Sequence, residues 1–356
     1  MASNDVFWFK LDEDLFASFD ESDFIDFNWE DFVKYDAGLE IKLKARNVTY
    51  QKGDKKQIKE ESEIASLTVI HSKGDAVALS PGGWRPLAFI PNGSTVLFDK
   101  NAFATVKNHI DKNGNPLSNS IKVVVDLFQN RKMTIDPKPI LLEGNNRHDK
   151  KLPSLEEMRS ELGYFIEKMK KRAPNLTIRA TEESLHALHK ASAIFFAGLD
   201  SVVEFIDDAY NYYSSGNKPP QTLEGFREVL ALAKNSNVQD MHIIFAAIVF
   251  KAISGERINP TLKLLKFNKP DFIEKGHAFN GALDIFSLFL FISEIRNHDH
   301  NVYFVTADKD LMHLWNDMTG FIRLDNQPGV LHFDLNYFLP GLEQDDIDAL
   351  KDIMGS

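Results

Sequence analysis

Residues 301–314, NVYFVTADKDLMHL, constrain the fold more than any other stretch of the chain. Residues 301–305 form a β-branched and aromatic run, the pattern of a strand buried on both faces of a parallel sheet. The run stops in Thr306-Ala307-Asp308, with Asp310 two residues on, so a hydroxyl and carboxylates arrive at the strand's carboxyl end. In open α/β sheets ligands bind at that end. A chain organised on such a strand is expected to be α/β, a parallel sheet with helices on both faces and an acidic site at one edge.

Other segments repeat the pattern. The turn Pro91-Asn92-Gly93-Ser94 delivers the apolar run 95–98, which ends in Asp99-Lys100-Asn101 before residues 102–110 turn helical. Asp99 thus shares the strand-to-helix position of Asp308. Glu143 closes the apolar turn 140–142 ahead of the polar loop 145–151, and Ser154-Leu155-Glu156-Glu157 is a capping box that opens a helix. Periodicity predicts helices over 155–171, 182–196, 199–213, 222–234 and 240–253, a short strand at 176–179, and another apolar helical segment at 122–128. Residues 255–275 read as a basic, irregular connection with Arg257, Lys263, Lys266 and Lys269. Asp284 then stands in the first turn of a helix that is apolar on nearly every side, where an isolated carboxylate is costly. A helix over 310–318, a strand over 329–333 and a closing acidic helix over 345–354 complete the reading.

The amino-terminal part is different. Residues 1–40 carry twelve Asp or Glu against Lys10 and Lys34, a local charge of −10 within a chain of −11. The remainder is nearly neutral, so the overall acidity does not exclude a polyanionic partner. Nine Phe or Trp interleave those acids, which argues against simple disorder. The segment is a folded appendage with solvated charge, or an acidic, aromatic surface that docks a protein partner or masks the chain's own site. Residues 39–43, 65–71 and 76–79 read as short strands, and 81–86, PGGWRP, as a rigid loop. The expected organisation is an acidic β-containing extension at 1–92, a main α/β domain at 93–340 with a helical insertion at about 150–275, and a terminal helix at 341–356.

Four dispersed carboxylates, Asp99, Glu143, Asp284 and Asp308, make chemical sense together as a cradle for a hard divalent cation. Mg²⁺ and Mn²⁺ take oxygen ligands and need few protein carboxylates besides substrate phosphate. Without a cation such a set repels itself. Taken singly, Asp284 reads equally as a helix cap and Asp308 as a turn residue.

The contexts of these residues resemble the PIN-domain nuclease family. Phe98-Asp99-Lys100-Asn101 is similar to that family's first-strand motif. Leu283-Asp284-Ile285 and Val305-Thr306-Ala307-Asp308-Lys309-Asp310-Leu311 are similar to its closing pair. The resemblance covers residues 94–147 and 276–335 and implies a Mg²⁺- or Mn²⁺-dependent endonuclease, a hydrolase acting on RNA or single-stranded DNA, with a toxin-like or defence role by family habit. It implies metal carboxylates at Asp99, Asp284 and Asp308, orienting groups at Asn101 and Thr306, and an auxiliary acid at Asp310. The family's Glu falls on Glu143, with Glu182 and Glu183 as the alternative. The chain departs from a compact PIN domain in the length between its first and third carboxylates, which requires the helical insertion.

Lys100, Lys107, Arg147, Lys150, Lys151 and Lys309 are the cations placed to meet backbone phosphates. A catalytically inactive scaffold acting through the acidic segment is the alternative function. The chain has no Gly-rich phosphate loop, no Gly-x-Ser-x-Gly elbow and no Cys, which excludes P-loop, serine-hydrolase and thiolate chemistry. His298 and His300 read as a solvated loop, and His186 and His189 as a helix surface. With no signal-peptide pattern at residues 1–10 and no apolar run of bilayer length, a cytoplasmic, membrane-free protein is expected, either monomeric or a homo-oligomer.

Overall fold

The computed structural model describes residues 9–12, 15–24, 39–52, 55–59, 63–69, 76–87, 90–91, 93–108, 133–144, 151–170, 176–195, 198–238, 242–255, 259–297, 301–324 and 331–333. The segments at 122–128 and 345–354, read as helical from sequence, lie outside them.

Five amino-terminal strands, β1 (Phe9–Asp12), β2 (Leu15–Phe24), β3 (Leu39–Lys52), β4 (Lys55–Lys59) and β5 (Glu63–Val69), form an antiparallel sheet. The long β3 pairs with β2 on one edge, and β5 and β4 divide its other edge.

The central sheet holds six strands among the described residues: β6 (Val77–Ser80), β7 (Gly83–Pro86), β8 (Thr95–Phe98), β9 (Thr134–Asp136), β10 (Thr177–Ile178) and β11 (Val302–Thr306). Their spatial order is β10-β9-β8-β11-β6-β7. The α/β class expected from sequence is present, but the sheet is mixed. The pairs from β10 to β11 are parallel, whereas β6 runs antiparallel to β11 and β7 antiparallel to β6. Gly83–Pro86, expected as a rigid loop, is the second arm of this edge hairpin, with Trp84 buried in the core. Pro86 ends the outermost strand, where its missing N–H leaves no ladder bond unmade. Residues 77–86, grouped by sequence with the amino-terminal extension, therefore pair into the central sheet.

Ten helices follow among the described residues: α1 (Lys100–Asn108), α2 (Lys138–Glu143), α3 (Leu155–Lys170), α4 (Glu182–Phe195), α5 (Leu199–Ser214), α6 (Leu223–Asn235), α7 (His242–Ile253), α8 (Pro260–Leu264), α9 (His277–Asn297) and α10 (Lys309–Phe321). The capping box at α3 forms as read: Glu157 N–H donates to Ser154 Oγ at 3.3 Å, and Ser154 N–H donates to Glu157 Oε2 at 2.6 Å. Strands β12 (Ile322–Leu324) and β13 (Leu331–Phe333) make a separate antiparallel pair.

Pleating sends alternate residues of the central strands to opposite faces. Val302 and Phe304 join Leu79 and Leu97 in one cluster under α5 to α10, while Tyr303 and Val305 join Val96, Phe98 and Ile135 in a second with Phe103 and Phe165. On the first face Phe291 of α9 meets Phe304 at 5.8 Å and Trp315 of α10 at 4.8 Å between centroids. Trp315 Nε1–H donates to the carbonyls of Ser80 and Gly83, both at 2.8 Å, which ties α10 to the edge hairpin.

Helix α9 begins at His277 rather than beside Asp284, so Asp284 lies two turns inside it and caps nothing. Contrary to expectation, this helix is long and apolar enough by composition to cross a membrane, with a mean hydropathy of 1.5 over His277–Arg296. Within that window 72% is buried inside the protein, the pattern of a central core helix.

Candidate active site

Parallel register brings the two key strand ends level. Val305 stands beside Phe98, and Asp99 N–H donates to Val305 O at 3.0 Å. Asp99 and Thr306 therefore emerge side by side, and Thr306 Oγ1–H donates to Asp99 Oδ2 at 2.9 Å. The same Thr306 oxygen accepts the Asp308 N–H at 2.9 Å, so one buried hydroxyl fixes both acidic strand ends. Asp308 is the N-cap of α10, its Oδ1 accepting the N–H groups of Asp310 at 2.9 Å and Leu311 at 3.1 Å.

Glu143 is the last residue of α2, and the chain leaves it through Gly144 at φ +58. A Cβ on Gly144 would stand 2.6 Å from Pro153 Cγ, so only glycine fits this exit. Lys100 Nζ donates to the Gly144 carbonyl, fastening the start of α1 to the end of α2. This cation, read from sequence as a phosphate contact, thus holds the site's frame.

Asn101, Glu143, Asp284, Asp308 and Asp310 line one cavity of about 210 Å³. Asp99 is buried next to them, 7% exposed. Burial first, then repulsion from Glu143, pushes the Asp99 carboxyl up to about 7, against the Thr306 hydrogen bond that lowers it. Asp284 is held well above the ordinary carboxylate range by burial and by the charges of Asp308, Asp99 and Glu143. Asp310 is raised by burial and by Asp308. The four carboxylates named from sequence are thus electrostatic neighbours, although they come from segments up to 209 positions apart (Asp99 to Asp308). Among the described residues, no group of three acidic or histidine side chains is arranged as a ready-made metal cage. The donor set nonetheless suits a hard divalent cation, because it is all oxygen and such an ion offsets the burial and the mutual repulsion that raise the Asp99 and Asp284 carboxyls.

Three polar lining residues escaped the sequence reading as members of the site. Lys263 and Lys266 come from the connection expected to be irregular, and Asn280 lies one helical turn before Asp284. The connection contains α8, whose start was signalled by Asn259-Pro260: Asn259 Oδ1 accepts the Leu262 N–H at 2.9 Å and Pro260 takes the first helical position. The helix ends with Lys266 N–H donating to Lys263 O at 3.0 Å and Phe267 N–H to Leu262 O at 3.1 Å. This closure usually places glycine where Lys266 sits at φ +59. A lysine is held in a left-handed conformation facing the acids, where it lowers the pKa of Asp284 while Lys263 lowers that of Asp310.

Other expected contributors are elsewhere. Glu182 is exposed and paired with Arg159, with His186 at 3.4 Å, and Glu183 is exposed. Neither lines the cavity, which Glu143 does. Lys309 and Lys151 are exposed, while Arg147, Lys150, His298 and His300 lie outside the described residues and nothing is described of the Lys107 side chain. Comparisons with protein-family models, with curated proteins and with solved structures find no significant match to this chain.

Proposed function

We propose that this chain is a Mg²⁺- or Mn²⁺-dependent endonuclease of PIN-like architecture that hydrolyses phosphodiester bonds, with RNA as its first substrate and single-stranded DNA as its second. The observation that carries the reading is the mutual electrostatic coupling of Asp99, Glu143, Asp284 and Asp308 at the carboxyl ends of β8 and β11. Their order along the chain, and the Thr306–Asp308 link, support the resemblance to PIN-domain nucleases.

These four carboxylates would hold the cation, which when bound supplies an ionised water and polarises the scissile phosphate. Thr306 fixes the Asp99 rotamer and the start of α10 together, so the two strand-end carboxylates keep one relative geometry. Lys263 and Lys266 face the acids across the cavity and attract a phosphate into it. Asn101 and Asn280 offer amide donors and acceptors to orient it. Asp310, on the wall of the same cavity, is placed to act as the auxiliary acid toward the leaving oxygen.

The test is cleavage of single-stranded RNA and DNA by the purified full chain with Mn²⁺ or Mg²⁺. Asp308→Asn and Asp99→Asn should each abolish cleavage without lowering the melting temperature. Cleavage at the wild-type rate in both variants would discard these residues as ligands.

A further inference from the structure

Lys266 closes α8 at φ +59, where a glycine would sit without strain. A lysine backbone held there costs free energy; such conformations persist where neighbouring structure over-determines them, and they cluster at functional sites. The neighbouring structure here is tight. Asn259 Nδ2–H donates to the carbonyls of Lys251 at 3.2 Å and Ala252 at 2.9 Å, which pins the start of α8 to the last turn of α7. Leu265 and Phe267, the chain neighbours of Lys266, are buried on either side of it. A Cβ at Gly281 of α9 would stand 3.1 Å from Leu265 Cδ2, so glycine lets α8 and α9 approach closely at this point. Gly281 is three residues before Asp284 and on the same face of α9. The approach delivers Lys266, half-buried, to the cavity wall, where its charge acts on Asp284.

We propose that Lys266 is a catalytic residue that fills the role of a second metal ion, so that the site works with one divalent cation and one fixed ammonium. This rests on the nuclease reading and names how its site is charged. Two-metal phosphodiesterases hold their ions about 3.5–4 Å apart, one to the attacking and one to the leaving oxygen, and each ion needs acidic ligands. In this cavity the acids come from one set of elements: Asp99 follows β8, Glu143 ends α2, Asp284 belongs to α9, and Asp308 and Asp310 open α10. The α8 wall contributes Lys263 and Lys266 instead, and a second cation seated against it would be repelled by both.

An ammonium does there what an ion would do for charge. Hydrolysis forms a bond from the water oxygen to phosphorus, and the water's proton passes to solvent. The bond to the leaving oxygen breaks with its electron pair on that oxygen, which takes a proton from Asp310. Lys266 transfers no proton in this scheme. Its N–H groups meet the phosphate oxygens as negative charge builds on them, and the strained, buried frame of α8 fixes them in advance of the reaction.

Mn²⁺ titration of the full chain at pH 8, followed by calorimetry and electron paramagnetic resonance, tests this apart from cleavage. The wild type should bind one Mn²⁺ per chain and show the six-line spectrum of an isolated ion. Lys266→Glu, which exchanges the ammonium for a carboxylate, should bind two and show exchange-coupled lines. On single-stranded RNA, Lys266→Met should lower kcat on the order of a hundredfold and raise KM by less, and Lys266→Arg should recover at least tenfold of that loss. Two Mn²⁺ in the wild type, one in Lys266→Glu, wild-type kcat in Lys266→Met, or Lys266→Arg as slow as Lys266→Met would overturn the assignment. Asp308→Asn separates the two readings. Mn²⁺ binding and cleavage both lost in that variant, with Lys266→Met unaltered, removes the role of Lys266 alone. Wild-type Mn²⁺ binding and cleavage in Asp308→Asn, or a wild type that binds no Mn²⁺ or cleaves neither RNA nor DNA, removes the nuclease reading and this assignment with it.

Discussion

Replacing Asp99 with Asn should make this protein more stable and inactive at once. The carboxyl sits at about 7 in the fold against 3.8 in the open chain. Between those values the folded protein keeps a proton that the unfolded chain has lost, so stability falls as pH rises from 3.8 and the penalty is complete above about 7. At about 1.4 kcal/mol per pH unit, ionising Asp99 costs the fold on the order of 4 kcal/mol at pH 8. The substituted asparagine keeps the shape and an oxygen for the Thr306 hydroxyl, and it retains the cost of burying an amide; about 2 kcal/mol of net stabilisation at pH 8 is expected.

Urea unfolding in a chelator at pH 8 and pH 4 measures this directly. The variant should unfold at a higher urea midpoint at pH 8, and the order should reverse at pH 4, where wild-type Asp99 is protonated in the fold and only the cost of the buried amide remains. Adding Mg²⁺ or Mn²⁺ at pH 8 should raise the wild-type midpoint and leave the variant nearly unmoved, because a ligand that binds only the folded state stabilises it. Equal midpoints at pH 8, or a difference that persists unchanged to pH 4, would refute the claim that the buried charge of Asp99 destabilises the fold.

Thr306→Val removes the donor to Asp99 and the acceptor for the Asp308 N–H; cleavage should drop at least tenfold, and the rise in rate expected as Asp99 ionises should move to higher pH in a pH–rate profile. Lys266→Gly relieves about 1 kcal/mol of left-handed strain yet deletes the cation beside Asp284, so urea unfolding should show little loss of stability while substrate affinity falls and its salt dependence weakens. Trp315→Phe leaves the Ser80 and Gly83 carbonyls without their donor and should cost about 2 kcal/mol, measured as a lower urea midpoint with cleavage chemistry intact at permissive temperature.

Asp99 and Asp308 were legible because each follows an apolar run that could only be a buried strand, and a strand's end is a local fact. The capping box at Ser154, the helices α3 to α7 and the short β10 were legible for the same reason: hydrophobic period and cap chemistry act within a few residues. Asp284 was legible as an acid in an apolar helix, but not its place two turns inside it, since residues 277–283 carry no stop or start signal strong enough to set the boundary. The three-residue strand β9 was not legible at all. Its residues have no length over which a period could show, and only pairing with β8 and β10 makes them a strand.

By itself, then, the amino-acid order determined which segments must bury apolar faces, where helices open, and which acids stand at the ends of strands. Only the tertiary structure decided that the β6–β7 hairpin closes the sheet antiparallel, that Lys263 and Lys266 turn toward the acids, and that Asp136 meets Glu294 across Lys138. The physical reason is that caps and periodicity depend on separation along the chain, whereas strand direction and the field between charges depend on distance in space and on the water excluded between them.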